Sequence, residues 1–376
     1  MTRLEIDAIA SGGDGIGRLD GKAVFVPGTI PGDVAVVEIV LDKKRFARGR
    51  LQRIERPSPD RIPMPCRHAA ECGGCSWQMA RRDIQLGWKQ QAVEEALARI
   101  GRFDSVPVRP ILAPGPDFGY RNRLDLHPST DGPGFHRAGS HDLVVIEECL
   151  LAAPAVEALL DEVKGRPAEG ELTLRAGIRT GEAVVIGPGH AAPDEAVITE
   201  IVSGIRFQVT GRAFFQPNTD GAEALVAVVG EAAGSGGVLV DVFAGVGLFA
   251  ATVGGNFGRV LAIEASRTAV GDLRRNAPES RVLAMPALAG LRNVPAKPDA
   301  VVVDPPRTGL GSETVEALLA LAPQVLVSVS CDAATFARDA RLLVDAGYEL
   351  EWVQPVDQFP QIPHIETVSR FVRTDS

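Results

Sequence analysis

Residues 237–249 read Gly-Val-Leu-Val-Asp-Val-Phe-Ala-Gly-Val-Gly-Leu-Phe. An apolar run ends on an acid, Asp241, and passes through Gly245 and Gly247 into a stretch of helical character. This is the form of a strand feeding a helix through a tight turn whose bare backbone admits a ligand closely. The next apolar run is Arg259-Val-Leu-Ala-Ile-Glu264, and Glu264 lies 23 residues past Asp241. That is near the ~20 at which an acid on the following strand meets ribose hydroxyls. Together the turn and Glu264 point to an adenosine-bearing cofactor; the plain alternative is a tight turn with a surface Glu. Position 250 is Ala, which some dinucleotide fingerprints accept, so the glycines alone do not exclude NAD.

Two more runs follow, Ala300-Val-Val-Val-Asp304 and Val325-Leu-Val-Ser-Val-Ser330. Strands alternating with helical stretches from Gly211 onward predict an α/β domain with a parallel sheet, whose ligands lie at the carboxyl ends of the strands. Asp304 opens Asp304-Pro-Pro-Arg307, where two prolines fix an extended turn and hold the carboxylate at the sheet edge. Cys331 stands where the next strand gives way to a helix. A lone Cys beside a strand is most often a small buried hydrophobe, but a thiol at a helix N-terminus has a stabilised thiolate. A thiol and a carboxylate in one cleft favour covalent chemistry. Downstream, Phe359-Pro-Gln-Ile-Pro-His364-Ile-Glu366 sets a rigid loop before a terminal strand. Glu366 is its candidate general base.

Upstream the pattern differs. Residues 1–56 alternate short apolar runs with glycine turns and predict a small β-barrel. Four prolines between Arg56 and Pro65 mark a linker. Residues 81–100 carry helical periodicity (Ile84, Trp88, Val93, Leu97, Ile100) and end at Gly101. Residues 105–210 read as β-rich. The domain division expected is 1–56, 57–210 and 211–376. Cys66, Cys72 and Cys75, with the distant Cys149, supply four thiols. Zinc and an iron–sulfur cluster both suit such a set, and spacing alone leaves the two open.

The 376-residue chain carries a formal charge of −9, unevenly spread. Residues 1–130 hold 20 Lys and Arg against 16 Asp and Glu, which leaves −13 for the rest. Seven of those bases fall between Lys43 and Arg56, with one acid, Glu55. A local basic patch of this kind holds phosphates even on an acidic protein; a solvated strand face is the alternative. No apolar run approaches the ~20 residues of a membrane span, and the N-terminus lacks a signal-peptide core. The chain reads as a cytoplasmic monomer with no membrane partner.

These motifs together resemble the SAM-dependent RNA uracil-C5 methyltransferases, which make 5-methyluridine in tRNA and ribosomal RNA. The resemblance spans nearly the full length and implies a C-terminal Rossmann-like domain. Val24-Phe-Val-Pro-Gly28 and Pro31-Gly-Asp33 resemble a TRAM domain, an RNA-binding module. The Cys66-x5-Cys72-Gly-Gly-Cys75 segment and Cys149 resemble the family's 4Fe–4S signature. Phe214-Phe-Gln216-Pro-Asn218 resembles the segment whose Gln touches SAM. By the same resemblance Phe243, Glu264 and Asp304 line the SAM site, Cys331 is the nucleophile and Glu366 the proton acceptor. Three positions depart from the family's usual pattern: Asp332-Ala333 replaces Asn-Pro, Leu248 a polar residue, and Gln78-Met79 a Gln-His.

The implied reaction is methyl transfer from SAM to C5 of a uridine in structured RNA, through a Cys331 adduct at C6. Methylation of an exocyclic amine suits Asp-Pro-Pro equally and needs no thiol. A non-catalytic RNA-binding protein would use the basic barrel and leave Cys331 and Glu366 idle.

Overall fold

The computed structural model describes residues 1–105, 107–294 and 297–374. Alternation of buried and exposed side chains forms the strands β1 (Thr2–Ile9), β2 (Gly15–Leu19), β3 (Lys22–Val26), β4 (Val34–Asp42) and β5 (Phe46–Arg56). They close a barrel in the order β1-β2-β3-β5-β4. Leu4, Ile6, Val24, Val26 and Val37 fill its interior.

Next come α1 (Arg82–Arg99), β6 (Arg123–Leu126), β7 (Gly134–His136), β8 (Leu143–Val145), α2 (Pro154–Val163), β9 (Leu172–Ala176), β10 (Ala183–Ile186), β11 (Val197–Val202) and β12 (Ile205–Thr210). Strands β10-β9-β6 make a small sheet, and β7–β8 and β11–β12 are separate antiparallel pairs. Helix α2 buries Val156, Leu159 and Leu160 in the core it shares with that sheet.

The C-terminal part contains α3 (Thr219–Ala233), β13 (Gly236–Val242), α4 (Leu248–Thr252), β14 (Phe257–Glu264), α5 (Arg267–Asn276), β15 (Arg281–Ala284), α6 (Ala287–Leu291), β16 (Ala300–Val303), α7 (Ser312–Leu321), β17 (Val325–Ser330), α8 (Ala333–Asp345), β18 (Tyr348–Val356) and β19 (Glu366–Arg373). One sheet orders its strands β15-β14-β13-β16-β17-β19-β18. Strands β13 to β17 pair in parallel, and β19 runs antiparallel to both neighbours. Its strands bury both faces, as the continuous Val301-Val-Val303 run requires. Leu239 and Val302 pack on one side with α3 and α4, and Val240 and Val301 on the other with α7 and α8.

Packing crosses the chain divisions, and besides the contact of Ile30 with Met79 and Ala80 two such places bear on the C-terminal part. Val93, Ala96 and Leu97 of α1 join the core beneath β16–β18, against α8. The β11–β12 pair lays Ile198, Val202, Phe207 and Val209 on α3 and α5.

Register decides where the side chains of interest emerge. Val242 stands opposite both Ile263 and Val303, so Phe243, Glu264 and Asp304 leave their strands at one edge. Ser330 stands opposite Thr367, and the Thr367 hydroxyl donates to the Ser330 carbonyl at 3.2 Å. Cys331 and Glu366 therefore share that same edge. Strand order reverses between β13 and β16, the switch point at which open α/β sheets bind ligands.

Candidate active site

On the β13 side of the switch point, the glycine turn holds three residues at positive φ: Phe243 (64°), Gly245 (56°) and Gly247 (96°). Such angles are strained for a bulky side chain like Phe243 and signal a functional constraint. Glu264 fastens this turn to β14. Its carboxylate accepts from the backbone N–H of Gly245 (2.8 Å), Ala265 (2.8 Å) and Ser266 (2.7 Å). A carboxylate offers about four acceptor positions, so one remains, on Oε2. Beside it the turn is open: a Cβ on Gly245 would meet nothing within 4 Å. Beneath lies Asp241, fully buried, which accepts from the Ala250 N–H at 2.9 Å and leaves Oδ1 without a partner. Burial and the nearby Asp304 push its carboxyl up to about 7.

On the β16 side stand the candidate catalytic groups. Asp304 is half-buried, and burial pushes its carboxyl up to about 7. Glu366 is buried, and burial, then Asp304, holds its carboxyl well above the usual range. The Cys331 thiol is half-buried and pushed up to about 11, by burial first, then by Glu366 and Asp304, with Arg307 opposing. This corrects the expectation of a thiolate stabilised by the α8 N-terminus. Burial, with two carboxyl neighbours, outweighs the helix end. Asp332 also occupies that end: its side chain accepts from the Thr335 N–H at 2.8 Å and caps α8. The Asp-Ala departure thus preserves a cap, since Asp serves there as well as Asn.

Gln216 is buried on the wall formed by the loop after β18, where its Oε1 accepts from Gln358 at 3.3 Å and its carbonyl from Asn122 at 2.9 Å. Phe214, two residues earlier, is 65% exposed. The four cysteines Cys66, Cys72, Cys75 and Cys149 line one cavity of about 270 Å³. Burial pushes the Cys75 thiol up to about 12, and the other three raise it further. Gln78 is buried and accepts from the Cys66 N–H at 3.3 Å, so the Gln-Met departure keeps a contact to the cysteine segment. Among the described residues no three His, Cys, Asp or Glu are gathered tightly enough for a single ion.

The basic run is less bare than the sequence implies. Arg48, Arg50, Arg53 and Arg56 each have a carboxylate at 3.8–3.9 Å, from Asp14, Glu38, Glu55 and Glu5. Lys43, Lys44 and Arg45 in the turn before β5 are exposed and form no ion pair among the described residues.

Comparison with known proteins agrees with this arrangement. The TRAM domain family model matches residues 2–51, and the tRNA (Uracil-5-)-methyltransferase model matches residues 285–373. An uncharacterized RNA methyltransferase of Gloeobacter violaceus is 32% identical over 99% of this chain and 96% of its own length. The chain belongs to the RNA uracil-5-methyltransferase family. A second uncharacterized RNA methyltransferase, from Thermosynechococcus vestitus, is 31% identical over 97% of this chain and 96% of its own. The crystal structure of Pyrococcus abyssi tRNA (uracil-54, C5)-methyltransferase with S-adenosyl-L-homocysteine superposes with a TM-score of 0.78 at 27% identity, covering 99% of this chain and 100% of that one. The methyltransferase sheet brings Phe243, Glu264, Asp304, Cys331 and Glu366 to one edge, while Gln216 lies off the sheet and the four cysteines line a separate cavity. Three residues bearing on that edge were given no role from sequence: Arg307, His364 and the buried Lys89. The first two lie in motifs that were read; Lys89 has no local signal.

The carboxyl pair sets a pH dependence. A base accepts a proton only when ionised, and a raised pKa shortens the range over which it is. Steady-state methylation should therefore fall as pH is lowered, and from a higher pH than an ordinary carboxyl would give, because burial, then Asp304, holds Glu366, the candidate base, well above the usual range. A rate constant over that range would show that neither carboxyl ionises in the cycle.

Proposed function

We propose that this methyltransferase transfers a methyl group from SAM to C5 of a uridine in tRNA or ribosomal RNA, with Cys331 as nucleophile, Glu366 as proton acceptor and Asp304 beside the base. One observation carries the assignment. Asp304, Cys331 and Glu366 emerge at three successive strands, β16, β17 and β19, on the edge that also carries the glycine turn. The open cradle at Gly245, the free position on Glu264 Oε2 and the unpartnered Asp241 Oδ1 suit a ligand with hydroxyl and amine donors. Phe243 and Gln216 complete its walls.

Uracil C5 is a weak nucleophile. The Cys331 thiolate forms a bond to C6, and the displaced π pair passes to the C4 oxygen as an enolate. The enolate pair returns through C5, which forms a bond to the SAM methyl as the donor's S–C bond breaks. Glu366 removes the C5 proton, the C5–C6 double bond reforms and the thiolate leaves. Splitting one hard step into easier ones is the purpose of a covalent nucleophile. The base must leave its stack to enter such a cleft, and the exposed Phe214 offers a ring for it or a neighbour to stack on. The barrel turn Lys43–Arg45 supplies phosphate contacts. The enzyme acts as a monomer in the cytoplasm.

Cys66, Cys72, Cys75 and Cys149 would hold a 4Fe–4S cluster. Four thiols converge on one roomy cavity. A single zinc draws its sulfurs to ~2.3 Å from the ion, whereas a cluster spreads its thiolates around a larger body, which suits the roomy cavity here. Bound there, the cluster supplies a rigid cross-link between the Cys66–Cys75 segment and the strand region at Cys149. The methyl transfer itself needs no redox step.

Glu366→Gln should still add Cys331 to the base and accept the methyl group, then stall before elimination. A methylated protein–RNA adduct should accumulate and survive denaturing electrophoresis. Cys331→Ala should form no adduct and no product. Normal turnover by Glu366→Gln would place the base elsewhere. Methylation by Cys331→Ala would favour exocyclic-amine chemistry, which leaves the thiol idle.

Protein purified without oxygen should be brown and contain iron and sulfide in equal amounts, and chelation should bleach it. A colourless protein carrying stoichiometric zinc would overturn the cluster.

A further inference from the structure

Arg307 follows the Asp304-Pro-Pro turn after β16, and His364 stands just before β19. These are the two strands that flank β17. Arg307 Nη2 lies 3.1 Å from His364 Nε2, so the two side chains join across the end of β17, where Cys331 stands. Guanidinium is always a donor, and His364 is the acceptor. Burial, then Arg307, holds the imidazole below its usual pKa and hence neutral near pH 7. Phe359 sets its ring edge-on to His364, with centroids 6.1 Å apart.

We propose that Arg307 is the electrostatic partner of the Cys331 thiolate, and that His364 is the positioning residue that holds the guanidinium across the nucleophile's strand end. The charges facing Cys331 make the case. Asp304 comes from β16, Glu366 from β19, and both oppose ionisation; Asp332 adjoins in the chain and is engaged as the α8 cap. Arg307 is the cation that opposes them at Cys331. It also counteracts the rise in Glu366. Thiolate, not thiol, is the nucleophile. A cleft with two carboxyl groups and no cation would keep the proton on sulfur. On ionisation that proton leaves to solvent, and the new negative charge faces Arg307. Since a protonated imidazole has no acceptor, the His364 contact opens in acid.

The proposal rests on Cys331 being the nucleophile, so its test must read the thiol without using methylation. RNA-free protein would be treated with iodoacetamide across a pH range, and alkylation of the Cys331 peptide followed by mass spectrometry. Arg307→Gln should slow alkylation at about pH 8 roughly tenfold, since one pKa unit changes the thiolate fraction tenfold. Arg307→Lys should recover most of the rate. His364→Ala should fall between, and His364→Gln, which keeps an acceptor, should lie near wild type. Superimposable pH profiles for wild type and Arg307→Gln would overturn the proposal, as would a His364→Gln no better than His364→Ala. Failure of the nucleophile assignment would appear separately, as methylation by Cys331→Ala.

Discussion

The active edge depends on one buried ion pair. Lys89 of α1 and Asp357, the residue that follows β18, are both fully buried, and their Nζ and Oδ1 lie 2.5 Å apart. Burial pulls the Lys89 ammonium down to about 8 even with Asp357 opposing. Lys89 also donates to the Phe359 carbonyl at 2.8 Å, and Arg82 pairs with Asp357 as well. Around this pair the loop that ends in His364 is bound almost atom by atom. Gln85 donates to Gln361 Oε1 at 3.0 Å and accepts from its N–H at 3.2 Å. The Tyr120 hydroxyl donates to the Pro360 carbonyl at 3.0 Å. Removing one partner from such a pair leaves an uncompensated buried charge, at a cost of about 3–5 kcal/mol. The loop does not support itself; α1 holds it, and through it the start of β19.

The same loop connects the active edge to the cysteine segment. The N–H groups of Ser76 and Trp77, the residues directly after Cys75, both donate to the Gln361 carbonyl at 3.1 Å. Gln361 itself sits at a positive φ of 71°, a conformation maintained by what surrounds it. The segment that follows Cys75 is therefore tied to the loop five residues before Glu366. At the edge itself, three acidic groups share a half-buried space with one guanidinium. Burial raises all three, their neighbouring acids raise Cys331 and Glu366 further, and Arg307 opposes the rise at those two.

Much of this was legible in the sequence because it is local. Short apolar runs between glycine turns gave the barrel, helical spacing gave α1 within a residue at each end, and the apolar runs ending in Asp241, Glu264, Asp304 and Cys331 pointed to the site. What was not legible is non-local. Nothing near Lys89 indicates that it pairs with a residue 268 positions away, or that α1 packs beneath β18 rather than in the central region. The Cys331 thiol was misjudged because the helix end is visible in sequence, whereas the burial and the Glu366 and Asp304 charges appear only once the strands align. Acids on β1, on β4, on β5 itself and in the loop before β2 temper the basic run for the same reason.

The proposed chemistry turns on a bond from Cys331 to uracil C6 at this edge. Its most direct test uses substrate RNA carrying 5-fluorouridine, incubated with wild-type enzyme and SAM. Fluorine cannot leave as a cation, so Glu366 has no proton to remove and the adduct persists. Digestion and tandem mass spectrometry should find a methylated fluorouridine on the peptide containing Cys331. An attachment at Cys66, Cys72, Cys75 or Cys149, or product release without any protein–RNA complex, would contradict it.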